Sequence, residues 1–149
     1  FRFEVFTPEG PGDAGEARSI MFPGADGQVG ILPGRAPLLA QLASGPLTVT
    51  APGGAKKLYF VARGFVQVRE NLLTLFADEC TPADQIDPEA AWEEIQRAQR
   101  VPYESPEQRA AKDARLDEAR ARFRIAQRHR RQKKQALARS GLGEPGAEE

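Results

Sequence analysis

Residues 47–76 read LTVTAPGGAKKLYFVARGFVQVRENLLTLF, and their punctuation is that of an antiparallel β protein. Leu47–Thr50 is rich in β-branched side chains and stops at Pro52-Gly53-Gly54, a hairpin turn signal. Lys57–Ala62 follows and is broken at Gly64. Phe65, Val66 and Val68 form the next strand, Glu70-Asn71 ends it, and Leu72–Phe76 completes the series. Working outward, Phe1, Phe3 and Val5 alternate with Arg2, Glu4 and Phe6, as in a sandwich strand. Pro8–Gly15 reads as a turn region, and Glu16–Phe22 alternates loosely before the break at 23–27. Val29–Leu32 is a short apolar run ended by Pro33-Gly34, after which Leu38-Leu39 should enter the core. Short strands at this spacing predict a small antiparallel sandwich or barrel.

Past residue 84 the composition changes. Glycine and proline give way to Ala, Glu, Gln, Arg and Lys, all strong helix formers. Asp87 is a good N-cap with Pro88 at the first helical position, and a helix from there should end at Val101-Pro102. Ala91, Ile95 and Ala98 share one face, with Trp92 beside it. Ser105-Pro106-Glu107-Gln108 has the form of a capping box and opens a second helix that runs to about Leu137, with Gly141 as its stop. The apolar stripe of that helix is thin: Leu116, Ala119, Phe123 and Ala126. It must pair with the first helix or dock on a partner. The fold class is therefore α+β, with strands first and helices after them. Residues 1–84 form the sandwich, 85–139 a helical hairpin, and 140–149 a disordered tail.

The 149 residues carry 21 basic and 21 acidic side chains, but the balance is local. Between Arg120 and Arg139 lie nine Lys or Arg and no Asp or Glu. One cysteine, Cys80, excludes an intrachain disulfide, and with one histidine, His129, no Cys/His zinc site forms. Cys80 reads as a small inert core residue and His129 as an exposed helix residue. Phosphate-loop, GxSxG and HExxH signatures are absent, so an enzyme in its own right is a poor fit and no cofactor is expected. The first residues do not read as a signal peptide, and no run of about 18 apolar residues exists to cross a membrane.

Gly27-Gln28-Val29-Gly30-Ile31-Leu32-Pro33-Gly34-Arg35-Ala36-Pro37-Leu38-Leu39 resembles the GELGILPGHAPLL segment of the epsilon subunit of F-type ATP synthases. Three further segments are similar, in the family's order. They are Thr7-Pro8-Glu9-Gly10 (its early turn), Ala62-Arg63-Gly64-Phe65-Val66-Gln67-Val68 (SGGFLEV) and Leu75-Phe76-Ala77-Asp78 (VLAD). The resemblance implies a β-sandwich of about ten strands followed by a helical hairpin. It also implies a non-catalytic rotor subunit at the foot of the central stalk, in contact with the gamma subunit and the c-ring. Such a subunit would be peripheral, on the cytoplasmic face of a bacterial plasma membrane. Three positions depart from the pattern: Gln28 replaces an acidic residue, Arg35 a histidine and Arg63 a glycine.

Carried onto this chain, the resemblance implies a c-ring and gamma contact at Gln28, Gly30, Leu32, Pro33, Arg35 and Pro37. The helical arm can extend along gamma and meet the alpha and beta subunits, inhibiting ATP hydrolysis through Leu116, Phe123, Arg122, Arg124, Arg128, Arg130 and Arg131. An uncompensated basic helix suits an acidic partner. The rival reading is a free-standing module whose basic helix binds RNA or another acidic polymer, but no aromatic platform accompanies the charge, so nucleic acid is not expected. Some members bind ATP through I/L-D-x-x-R-A. Here Ile86-Asp87-Pro88-Glu89-Ala90-Ala91 has alanine at the arginine position, so binding should be weak or absent.

Overall fold

The structure, a computed structural model, describes residues 1–140. Eight strands come first: β1 (Arg2–Thr7), β2 (Gly10–Glu16), β3 (Ser19–Gly24), β4 (Gly27–Ile31), β5 (Leu38–Leu42), β6 (Gly45–Thr50), β7 (Lys56–Arg69) and β8 (Leu72–Pro82). A short 3-10 turn at Ala83–Gln85 leads to α1 (Pro88–Arg100) and α2 (Pro106–Arg139). The strand order is β2-β1-β8-β7-β5-β3-β4, with β6 paired to β3 and β7. All ladders are antiparallel except β1 with β8.

Two long strands turn this sheet into a sandwich. The first half of β7 pairs with β6, and its second half with β5. Tyr59 and Val61 point into the core, and so do Val66 and Val68, so the inward phase changes from odd to even positions between them. That change needs a corner, and it lies at Arg63, whose φ is +38°. β8 changes phase in the same way between Ala77 and Cys80, and β5 and β6 do so around Ser44. Phe3, Val5, Ile20, Phe22, Leu47, Leu73 and Leu75 fill the space between the layers.

Several expectations need correcting. Eight strands stand where about ten were expected, and β7 runs unbroken through Gly64 instead of ending there. Most of the Pro8–Gly15 segment, read as a turn region, belongs instead to β2 (Gly10–Glu16) along the edge of β1. Their polar, glycine-rich sequence hides a strand whose partner supplies the order. Leu38 is partly buried against the core, but Leu39 points outward at 72% exposure. β8 extends six residues past Phe76.

The helices follow their caps. The Asp87 carboxylate accepts the Glu89 N–H at 3.0 Å, and Ser105 Oγ accepts the Gln108 N–H at 3.1 Å. Gln108 Oε1 reaches back to the Glu104 N–H at 2.7 Å, one residue before the position a capping box uses. α1 ends at Arg100, with Val101 as its C-cap. Arg139 closes α2, and the expected stop at Gly141 and tail to 149 lie outside the described residues. At 1.5 Å per residue, the 34 residues of α2 span about 51 Å.

α2 carries two apolar faces. Leu116, Ala119 and Phe123 pack on Ile95 and Ala98 of α1, and the rings of Trp92 and Phe123 lie 5.5 Å apart. Ala121 and Ile125 pack instead on Phe60, Ala62 and Ala83, on the outer surface of the β6–β7 layer. Burying a side chain of the size of Phe60 or Ile125 contributes roughly 1.5–3 kcal/mol, so this second face is what seats the hairpin on the sandwich.

Candidate functional site: two outer faces of the sandwich

The hairpin covers one outer face, and the other lies open. On the open face Phe6 of β1 stands opposite Phe76 of β8, which stands opposite Phe65 of β7. Phe6 and Phe76 stack with ring centroids 5.5 Å apart, and Phe65 and Phe76 are 58% and 45% exposed. Leu39 lies beside this row, because its strand partner is Gln67, two residues on from Phe65. A shallow cleft of about 310 Å³ runs along the row between Phe6, Pro8, Phe65 and Phe76, with Arg63 and Asp78 at its rim. Three large rings in line on a solvent face cost free energy unless something covers them. In the sequence the three read only as strand residues and not as a site. The signal was there in the alternation, since once Val66, Val68 and Leu75 point inward their neighbours Phe65 and Phe76 must point outward.

The 28–37 segment projects from the end of β4. Gln28, Gly30, Leu32, Pro33, Arg35 and Pro37 are all exposed, and Leu32 is 65% exposed. Gly34 at φ +79° completes the Pro33-Gly34 turn. Its N–H is held by Asn71 Oδ1 at 3.2 Å, from the β7–β8 turn. Residues 28–31 thus belong to β4, and 32–37 form a tethered loop beyond it.

The structure separates the arm residues into two groups. Leu116 is buried, and Phe123 is half-buried against α1. Arg122 is committed to the sandwich: Nη2 and Nε bind the Glu79 carboxylate at 2.6 and 3.3 Å, and its guanidinium lies 4.5 Å from the centre of the Phe60 ring. Arg124, Arg128, Arg130 and Arg131 are exposed. Glu94 and Arg115 tie the two helices at 2.7 Å, and that hydrogen bond holds the Glu94 carboxyl below its usual range.

At the start of α1, Ile86 packs towards Phe60 while Asp87 caps the helix. Hydrogen bonds from Glu89 hold the Asp87 carboxyl below its usual range, with Arg130 as a smaller influence. The cleft here, about 420 Å³, faces Asp84 and Asp87 on one side and His129, Arg130 and Lys133 on the other. His129 is thus half-buried, not exposed as expected. Cys80 packs against the core, and burial pushes its thiol up to about 11, which suits a packing residue and not a nucleophile. Among the described residues no cluster of His, Cys, Asp or Glu could hold a metal, and no helix is long and apolar enough to cross a membrane.

A sandwich with one face under a helical hairpin and the other an open aromatic strip defines a docking subunit. Residues 1–83 match the family described as ATP synthase, Delta/Epsilon chain, beta-sandwich domain. The chain is 33% identical over 125 residues to the ATP synthase epsilon chain of Rhodopirellula baltica, spanning 84% of this chain and 97% of that one. It is 36% identical over 98 residues to that of Chromohalobacter salexigens, spanning 66% and 70%. The chain belongs to the delta/epsilon family of ATP synthase subunits, as an epsilon-type, non-catalytic member. Its fold resembles a chain of the Euglena gracilis mitochondrial ATP synthase with a TM-score of 0.69, at 21% identity and covering 80% and 76% of the two chains. A chain from the central stalk and c-ring of the Tetrahymena thermophila enzyme gives 0.66, at 12% identity over 84% and 95%.

Proposed function

We propose that this chain is the rotor-stalk epsilon subunit that joins the c-ring to gamma, without chemistry of its own. The observation that carries this reading is the aromatic row Phe6–Phe76–Phe65 with Leu39 beside it. It supplies the apolar centre that a stable subunit contact needs, and polar residues rim it. Gamma takes that face. The tethered segment with Gln28, Leu32, Pro33 and Arg35 meets the c-ring, where its turn resists the shear of rotation. In a bacterial cell this places the chain on the cytoplasmic side of the plasma membrane. Replacing both Phe65 and Phe76 with serine should weaken co-purification with gamma at least about tenfold, since buried aromatic anchors commonly carry 2 kcal/mol or more. Undiminished binding by a folded double variant would move the gamma contact elsewhere.

The hairpin is the regulatory part of the same reading. The exposed Arg124, Arg128, Arg130 and Arg131 meet acidic surfaces of the alpha and beta subunits when the arm extends, and Leu116 and Phe123 then pack along gamma. Nucleotide has no place in it. Asp87 is occupied as a cap, Ala90 offers no cation, and two carboxylates face the same cleft.

A further inference from the structure

Two strands change layer in this sandwich, a third corner joins β5 to β6, and the three corners meet at one turn of α2. Ser44 lies at the β5–β6 corner, Arg63 at the β7 corner and Glu79 within the β8 corner. Ser44 Oγ donates to Glu118 Oε1 at 3.3 Å, and Arg63 Nη1 donates to the same oxygen. Arg63 Nε also reaches Asp78 at 3.3 Å. One turn further along α2, Arg122 binds Glu79 through two nitrogens and lies 4.0 Å from Glu118. Glu118 is only 16% exposed, so its charge needs these partners.

We infer that Arg63 and Glu118 form a latch that holds the helical arm on the sandwich, with Arg122–Glu79 as its second clasp. Arg63 is where this chain departs from the glycine of the family pattern. Its φ of +38° lies in the left-handed region, which a side chain enters at a cost and glycine enters freely. The arginine gains nothing for the sandwich core, because its side chain points out to Asp78 and Glu118. Of its two partners Asp78 lies on the sandwich itself, so the contact that exists only while the arm is down is the one with Glu118. The apolar seat beneath α2 is Phe60, Ala62, Ala83, Ala121 and Ile125, and the charged corners flank it and add to its hold on the arm.

The latch rests on the proposed mobility of the arm, and its test is made on the isolated full-length chain. With Cys80→Ser removing the native thiol, spin labels at Gly53→Cys on the β6–β7 turn and Gln135→Cys near the end of α2 report whether the arm is docked. Both positions are exposed, and a Cβ at Gly53 meets nothing within 4 Å. The unsubstituted latch should give one narrow distance. Arg63→Gly and Glu118→Gln should each raise the released fraction about fivefold, the upper range for a single ion pair. Raising salt should release the arm in the original chain, and release it by a smaller factor in Arg63→Gly, where only the Arg122–Glu79 clasp is left to screen. Arg63→Gly should also leave the unfolding midpoint of the sandwich unchanged or raised, an outcome that general structural damage would not produce. Distances identical to the original in both variants at low and high salt would overturn the latch, as would a lowered sandwich midpoint in Arg63→Gly. Arm release with unchanged ATP hydrolysis by the reconstituted complex would leave the latch standing and overturn the brake.

Discussion

Arg63 and Gly64 share one bend, and each meets a different constraint. Arg63 takes the positive φ, while Gly64 takes the close approach: a Cβ there would sit 1.7 Å from the Phe76 carbonyl oxygen. That oxygen belongs to the β8 ladder, so it cannot move aside without breaking pairing on both strands. Gly64→Ala should therefore destabilise the chain by about 3 kcal/mol or more, read as a fall in the denaturant midpoint. A loss below about 1 kcal/mol would mean that the corner is not built this way. Position 90 is the other residue-scale case. A charge-assisted hydrogen bond to phosphate is worth about 1.5–3 kcal/mol, and Ala90 forgoes it. Titration calorimetry on the isolated chain should detect no micromolar ATP binding. Micromolar affinity would show that Arg130 or Lys133, across the cleft, supplies the missing cation.

Among the elements, α2 is the one whose sequence misleads. Read as a single stripe through Leu116, Ala119, Phe123 and Ala126, it looks too thin to stay docked. At about 100° per residue, Ala121 and Ile125 fall roughly opposite Leu116 and Phe123, so the helix is sandwiched between α1 and the β6–β7 layer. Glu118 and Arg122 flank that second face. The charge run is thereby divided: Arg122 is engaged with Glu79 and Glu118, whereas Arg124, Arg128, Arg130 and Arg131 face solvent. Single exposed ion pairs are worth about 0–1 kcal/mol, so one substitution should do little. Reversing those four arginines to glutamate, or deleting residues 103–149, should raise ATP hydrolysis by the assembled complex and leave assembly intact. Unchanged hydrolysis in both, with the subunit retained, would return the run to a solvated helix face.

For the whole molecule, the question is whether the sandwich needs the hairpin. Its core lies between its own layers, from Phe3 to Ala77, and takes no side chain from α1 or α2. We propose that residues 1–84 are an independent folding unit. A chain ending at Asp84 should unfold cooperatively and keep binding gamma, because the aromatic row is on the face away from the helices. Its midpoint should fall somewhat, since Phe60, Ala62 and Ala83 lose the cover of Ala121 and Ile125. A truncated chain without a cooperative transition would defeat the two-part division.

Local rules carried far into this fold. Pro-Gly and Glu-Asn turns placed most strand ends, since those residues restrict or permit backbone angles wherever they stand. Asp87 and Ser105 placed both helix starts, because a cap needs only its own next few N–H groups. The 28–37 segment was legible through its resemblance to a known motif, and its exposure follows from the turn it contains. The corners were not legible. Whether β7 ends at Gly64 or bends through it depends on β5, β6 and β8 pairing along its two halves, which no local pattern encodes. The strand at 10–16 likewise exists because β1 offers it an edge. The aromatic row became a face only when the sheet set Phe6, Phe76 and Phe65 side by side from three strands up to 70 residues apart. So it was with Arg63 and Glu118: sequence supplied the opposite charges, and tertiary packing alone brought them within hydrogen-bonding reach.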